Sequence, residues 1–294
     1  MDYLWGHPLR SEVLRLPISF YPFPDYLQEF NIFYFEHFYV RMNNQKEGKM
    51  LKRITGILIP LLTCGTLFAQ DYVMFQTSVL KLRAGQNHSL QQGVKKHNDK
   101  YHSGEDSPKA YLWYINTGPN SGNYSWATGP LKFSDMDQSL PDGHVKDWER
   151  NVSPYANETE VIYMVRNEEL TYNPENETVG ENILMKRYQI KDGPGHGAAV
   201  VEAIGSITKV LKKTNAKIAR RVYFNRFPSE GQSDLMLVYP FKSWSSFEGA
   251  LGLPEGFVDD YEKMYGKGSM QKNVSKVLAE HTYGRTHEVM TMVK

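Results

Sequence analysis

The feature that most constrains this chain is that part of it is written twice. Glu160-Val161-Ile162-Tyr163-Met164-Val165-Arg166 returns as Glu288-Val289-Met290-Thr291-Met292-Val293-Lys294, with both valines, the glutamate and one methionine kept and Arg exchanged for Lys at the end. A second match lies upstream in each half. Tyr111-Leu112-Trp113-Tyr114-Ile115 leads to Pro119-Asn120-Ser121-Gly122, and Arg221-Val222-Tyr223-Phe224 leads to Pro228-Ser229-Glu230-Gly231. Each Pro-x-x-Gly stretch reads as the turn between two aromatic-rich strands. Internal repetition of this kind decides the architecture before any single motif does.

The elements then fall in one order twice. The first half gives a strand over 72–82 and a helix over 89–101, with Leu90, Val94, His97 and Tyr101 on one face. A hairpin of 110–116 with 124–128, a helix near 143–151 and a closing strand over 160–166 complete it. The second half gives a strand over 183–191 and a helix carrying the stripe Val200, Ala203, Ile204, Ile207, Val210 and Leu211. A hairpin of 221–227 with 234–239, a helical stretch over 257–281 and a strand over 288–294 follow. The expected organisation is one ferredoxin-like unit over 70–166, a linker over 167–181 rich in Asn, Glu and Thr, and a second unit over 182–294.

Most of these strands are apolar on both faces, as in Val161-Ile162-Tyr163-Met164-Val165, so both faces of each sheet need cover. Helices cover one face, and the sheet of the other unit is the simplest cover for the second. The expected fold class is therefore α+β, two tandem βαββαβ units packing their antiparallel sheets face to face. This arrangement resembles the dimeric α/β-barrel superfamily in its tandem-fused form. That superfamily includes antibiotic-biosynthesis-monooxygenase-like, chlorite-dismutase-like and EthD-like proteins. The resemblance covers 72–294 and rests on element order and duplication, so it implies a fold and not a chemistry.

Residues 1–49 differ in composition, with aromatic runs such as Phe30-Asn31-Ile32-Phe33-Tyr34-Phe35, and read as an upstream extension from a start placed too early. Met50 then opens an export signal over 50–69. Lys52 and Arg53 precede an apolar segment that ends at Leu67-Phe68-Ala69, short of the roughly 20 residues a membrane span needs. The expected location is periplasmic or secreted, with no stable membrane span after cleavage near Gln70. The chain's one cysteine, Cys64, lies inside the signal, so cleavage after Ala69 leaves no thiol in the mature protein, the alternative being a lipoprotein processed at Leu61-Leu62-Thr63-Cys64. With 34 basic against 33 acidic side chains and no basic block, a nucleic-acid partner is not expected either.

Motifs are sparse. Gly193-Pro194-Gly195-His196-Gly197-Ala198 mimics a dinucleotide loop, but the strand before it, Met185-Lys186-Arg187-Tyr188-Gln189, is too polar for the buried parallel strand such a loop requires. It reads as a helix entry. No nucleophile elbow and no P-loop occur. His97 and His102 are five apart and do not share a helix face, and His281 and His287 straddle a loop, so no metal site is expected.

The candidate ligand-binding residues are those a barrel interior would receive: Tyr114, Asn116 and Trp126 from the first hairpin, and Tyr223 and Asn225 from the second. Strand alternation, with helices given the more apolar side, sends Tyr114 and Asn116 inward. The haem-degrading members of the superfamily build their site from an asparagine, a tryptophan and a helix-borne histidine. The resemblance therefore adds His144 beside Trp126, with Gln76 standing where the asparagine would be. No cofactor is read from the residues themselves, and haem enters only through the resemblance. The leading expectation is a protein that binds a small apolar or aromatic molecule in a barrel cleft, and a homodimer is compatible with it. The alternatives are a cofactor-free monooxygenase or haem-dependent oxidoreductase, and a structural protein with a filled barrel. Catalytic residues are not identified.

Overall fold

The computed structural model describes residues 72–175, 179–248 and 252–294. The expectations for residues 1–69, the upstream extension and the export signal with Cys64, lie outside them. The first unit runs β1 (Met74–Leu82), α1 (Asn87–Tyr101), β2 (Lys109–Ile115), β3 (Tyr124–Leu131), α2 (His144–Asn151) and β4 (Ala156–Arg166). The second runs β5 (Asn182–Ile190), α3 (His196–Thr214), β6 (Arg221–Asn225), β7 (Leu235–Phe241), α4 (Phe257–Tyr265), α5 (Lys276–His281) and β8 (Thr282–Met292). The helical stretch expected over 257–281 is interrupted at Gly266, which ends α4.

The strands close into one barrel in the order β1-β3-β2-β8-β5-β7-β6-β4. Within each unit the closing strand lies beside the opening one and the hairpin beyond it, which is the ferredoxin-like order, and every neighbouring pair is antiparallel. The units meet at β2 with β8 and at β6 with β4. This is the fused dimeric α/β-barrel arrangement, and the duplicated segments occupy equivalent places in it. Met290 lies opposite Ile115 and Met164 opposite Asn225. The hairpin alignment and the closing-strand alignment read from sequence are thus out of step by two residues, one full pleat, which leaves each side chain on its own face.

The barrel interior is one apolar cluster drawn from all eight strands, including Phe75, Val79, Trp113, Ile115, Ala127, Ile162, Met164, Met185, Tyr223, Met236 and Met290. Full burial of each large apolar side chain contributes roughly 1.5–3 kcal/mol. Outside the barrel, α1 and α2 cover the first unit through Leu90, Val94 and Val152, and α3 covers the second through Val200, Ile204 and Leu211. The glycine-rich stretch before α3 is a helix entry, with Gly195 in the left-handed region at φ 85°. Part of the expected linker is packed rather than loose. Leu170 is buried against α3, and Tyr172 bridges Arg220 and donates its hydroxyl to the Ala216 carbonyl at 2.9 Å.

One end of the barrel is tied by charge. Arg187 Nε lies 2.9 Å from the fully buried Glu288 carboxylate, which also accepts from Asn120 Nδ2 at 3.0 Å. Gly118 sits directly above; its φ of 87° favours glycine, and a Cβ there would come within 2.8 Å of the Glu288 side chain. Glu160, at φ 54° beside a bulge in the β1–β4 pairing, brings its carboxylate to 3.8 Å from Arg187. The two glutamates of the duplicated segment therefore converge on one arginine.

Candidate metal centre

The structure distributes the predicted site residues over three places. Tyr223 and Asn225 face the barrel interior, where Tyr223 is buried among methionines. Asn225 uses its side-chain oxygen to accept from the Phe227 amide at 3.1 Å. Tyr114 and Asn116 do not point inward, which overturns the sequence assignment: Tyr111, Trp113 and Ile115 do. The closed barrel, covered on all sides, takes the more apolar face of β2. Tyr114 lies exposed outside with its ring 5.3 Å from that of Tyr124. Asn116 ends β2 and donates to Thr291 Oγ1 at 3.0 Å, and Thr291 in turn donates to Asn182 Oδ1 at 2.9 Å. That chain of hydrogen bonds joins the two units and is structural.

The interior they were expected to line is nearly full. Its cavity, bounded by residues including Thr77, Trp113, Ser125, Met164, Arg221 and Tyr223, measures about 50 Å³. A groove of about 210 Å³ runs outside, between α1 and the C-terminal residues. Both are below the roughly 300–1,000 Å³ of small-molecule and cofactor sites.

Trp126 and His144 do come together, on the outer face of the first unit under α1 and α2. Trp126 Nε1 donates to Asn98 Oδ1 at 3.2 Å, and its ring lies 4.8 Å from Trp148 and 5.7 Å from His102. His144 opens α2, with its ring 4.5 Å from His97 and 5.5 Å from His102. His97 and His102 meet because the helical spacing rule stops applying at the helix end. Tyr101 is the last residue of α1, and His102 turns away at φ −125°, ψ 10°. In α2, His144, Asp147 and Trp148 stand at i, i+3 and i+4 on one face, and this was the available sequence signal for the cluster.

The three imidazoles are oriented from behind. His97 Nδ1 lies 3.1 Å from Asp147 Oδ1, and His102 Nδ1 lies 2.9 Å from the Pro108 carbonyl. Each acceptor fixes the proton on Nδ1 and leaves an Nε2 lone pair turned to the middle. His97 Nε2 is buried with no hydrogen-bond partner, and His102 Nε2 lies 3.4 Å from His144 Nε2. One ring nitrogen from each residue falls within 4.8 Å of the others. An ion held at about 2.0–2.1 Å from each in tetrahedral geometry would bring them to about 3.4 Å, so closure needs about 1.4 Å of ring movement at most.

The electrostatics keep the rings neutral. Burial lowers His97 despite its bond to Asp147, and it lowers His102 despite the Pro108 carbonyl. His144 is pushed down to about 4, by burial first and then by the two neighbouring histidines. The Asp147 carboxyl sits below its ordinary value: burial pushes it up, and hydrogen bonds from His97 and Asn151, with Lys100 nearby, outweigh that. His97 is buried, whereas His102 and His144 are half-buried, so solvent reaches the cluster from their side.

Haem, the group the resemblance implies, does not fit these residues. The His102 ring stands between His144 and Trp126 in contact with both, and Trp148 packs at a tilt against Trp126, so these side chains are packed on one another with no flat slot between them.

No family model matches the chain, and no curated protein matches its sequence. Among solved structures, an anthrone oxidase-like protein is similar at 7% identity with a TM-score of 0.48, over 76% of this chain and 93% of the other. A chlorite dismutase from Candidatus Nitrospira defluvii in complex with imidazole is similar at 7% identity and 0.44, over 74% and 91%. A variant of that enzyme in complex with cyanide gives 9% and 0.47, over 76% and 91%. The barrel order rests on this chain's own strand pairing, and no functional residue is carried over from these proteins. Among the described residues, no helix is long and apolar enough to cross a membrane.

Proposed function

We propose that this protein binds a divalent transition-metal ion through His97, His102 and His144, in the helix layer of its first unit. One observation carries the reading: three imidazole nitrogens converge, two of them held from behind, and one of them is a buried nitrogen with no other partner. A buried polar atom left without a partner costs about 1–3 kcal/mol, and a bound cation removes that cost. An all-imidazole donor set suits zinc, copper, nickel or iron and not magnesium or calcium. Asp147 has the role of the carboxylate that orients a metal-bound histidine. A small apolar ligand inside the barrel has less support, because the cavity there has room for one or two waters. Export through the segment that opens at Met50 is part of the reading, and the exported chain is expected to begin near Gln70 by intact mass.

The test uses the tryptophans that touch the site. Trp126 and Trp148 lie in ring contact with His102 and His97, so Cu²⁺, Ni²⁺ or Co²⁺ added to metal-free protein is expected to quench their fluorescence at one ion per chain. Zn²⁺ should compete and Mg²⁺ should not. His97→Ala and His144→Ala should abolish the quench while far-ultraviolet circular dichroism stays unchanged. Asp147→Asn should weaken binding about 10–100-fold. Equal affinity in wild type and both histidine variants refutes the proposal.

A further inference from the structure

The geometry points to an open centre: we infer that the ion held by His97, His102 and His144 takes its remaining ligand from solvent, as an exchangeable water or small anion. This rests on the metal-binding reading above and specifies what kind of site it is.

The argument is a count of donors. Among the described residues the cluster supplies three ligand atoms, one from each histidine. The nearest carboxylate, Asp147, is engaged elsewhere, with one oxygen on His97 Nδ1 and the other 3.8 Å from Lys100 Nζ. A carboxylate that accepts from the far nitrogen of a ligand histidine acts through that histidine and is not itself a ligand. Tyr101 lies close, its ring 4.8 Å from His144, but its hydroxyl is turned to the Asp142 carbonyl at 3.5 Å. No described residue is a cysteine. Structural zinc sites are closed by four protein ligands, whereas three histidines and a vacant position mark a site that binds and polarises a small molecule.

The burial of the three rings shows where that molecule enters. His97 is buried on the inner face of α1, while His102 and His144 are half-buried. Trp126, Trp148 and Tyr101 stand against the three rings. A position open to solvent on a histidine-bound ion takes water or a small anion such as azide or a short carboxylate.

The experiment loads the full-length chain with Co²⁺ and follows its visible ligand-field bands during titration with azide. The expected result is a shift of the bands that saturates at one azide per cobalt, and the same shift in Tyr101→Phe. Bands that form but ignore azide overturn the inference and leave metal binding standing, since the fourth ligand would then come from the chain. A changed cobalt spectrum in Tyr101→Phe before any azide is added also overturns it, by making the phenol that ligand. Absence of bands at stoichiometric Co²⁺ overturns the metal-binding reading and this inference with it.

Discussion

Gly93 lies in the middle of α1, and its missing side chain is what lets α2 approach. A Cβ built there comes within 2.8 Å of the Asn151 carbonyl carbon and collides with its oxygen. Carbon–carbon contacts settle at about 3.5–4.0 Å and the carbonyl oxygen lies closer still, so Gly93→Ala must drive the end of α2 away by more than about 1 Å. Asn151 cannot rotate clear, because the clash is with backbone and the next residue, Val152, is buried in the core. Overpacking of this kind costs about 1–3 kcal/mol, against a gain of up to about 1 kcal/mol from replacing glycine in a helix interior. The expected net loss is about 1–2 kcal/mol, or about 4 °C in Tm for a barrel of this size. Gly205 in α3 is the control: a Cβ there meets only the end of the Leu170 side chain at 3.4 Å, so Gly205→Ala should gain about 0.5–1 kcal/mol. The two variants are compared by thermal melts. Because α1 carries His97 and α2 carries His144, the same displacement adds to the ring movement that closing the site already requires, so Gly93→Ala should bind Co²⁺ more weakly than wild type. If Gly93→Ala gains stability as Gly205→Ala does and keeps its metal affinity, the account of how α2 is seated is wrong.

Three further substitutions test other parts of the structure. Lys186 is lowered to about 8 by burial first and then by Arg285 and Arg220, so the folded chain holds this proton less well than the unfolded one does. Stability should therefore rise with pH between about 8 and 10.5, and Lys186→Met should remove that rise and stabilise the protein at pH 7 by about 1–2 kcal/mol after allowing for its partial exposure; denaturant melts across that range check both. Arg187→Met strands the buried Glu288 carboxylate and should cost about 3–5 kcal/mol in urea unfolding. Asn116→Leu removes the donor to Thr291 that helps join the two units, and should lower stability by about 0.5–1.5 kcal/mol by the same measurement.

Backbone order was legible from the sequence because it is carried by patterns that repeat. The hairpins announce themselves by Pro-x-x-Gly turns, α3 by its apolar stripe, and the closing strands by their near identity. The start of β8 was not legible. Tyr283, Gly284 and Arg285 are exposed and show no strand pattern; the segment is extended because Gly284 and Arg285 pair with Gln189 and Tyr188 of β5, with Tyr283 at a register shift. The face taken by Tyr114 was misread because helices were credited with more burying power than a closed barrel. Trp126 and His144 were named and lie in one cluster, separated by the His102 ring, but His97 and His102 were set aside by a helical-wheel rule that no longer holds once the chain leaves α1. Side chains that converge from two helices and a loop leave no short-range signature. Here the spacing of His144, Asp147 and Trp148 was the trace they left.

The fusion of the two units also bears on how such a site can arise. A barrel assembled from two copies of a single unit must carry every substitution twice, so a residue placed for chemistry on one side is imposed on the other. With both halves on one chain that symmetry is lifted. Trp126 faces Leu112 across the first hairpin, while the corresponding pair in the second hairpin is Leu237 and Val222. The first half gathers its histidines and tryptophans beneath its helices, while the second packs aliphatic side chains such as Val200 and Ile204 with Tyr188 and Tyr239 in the corresponding layer.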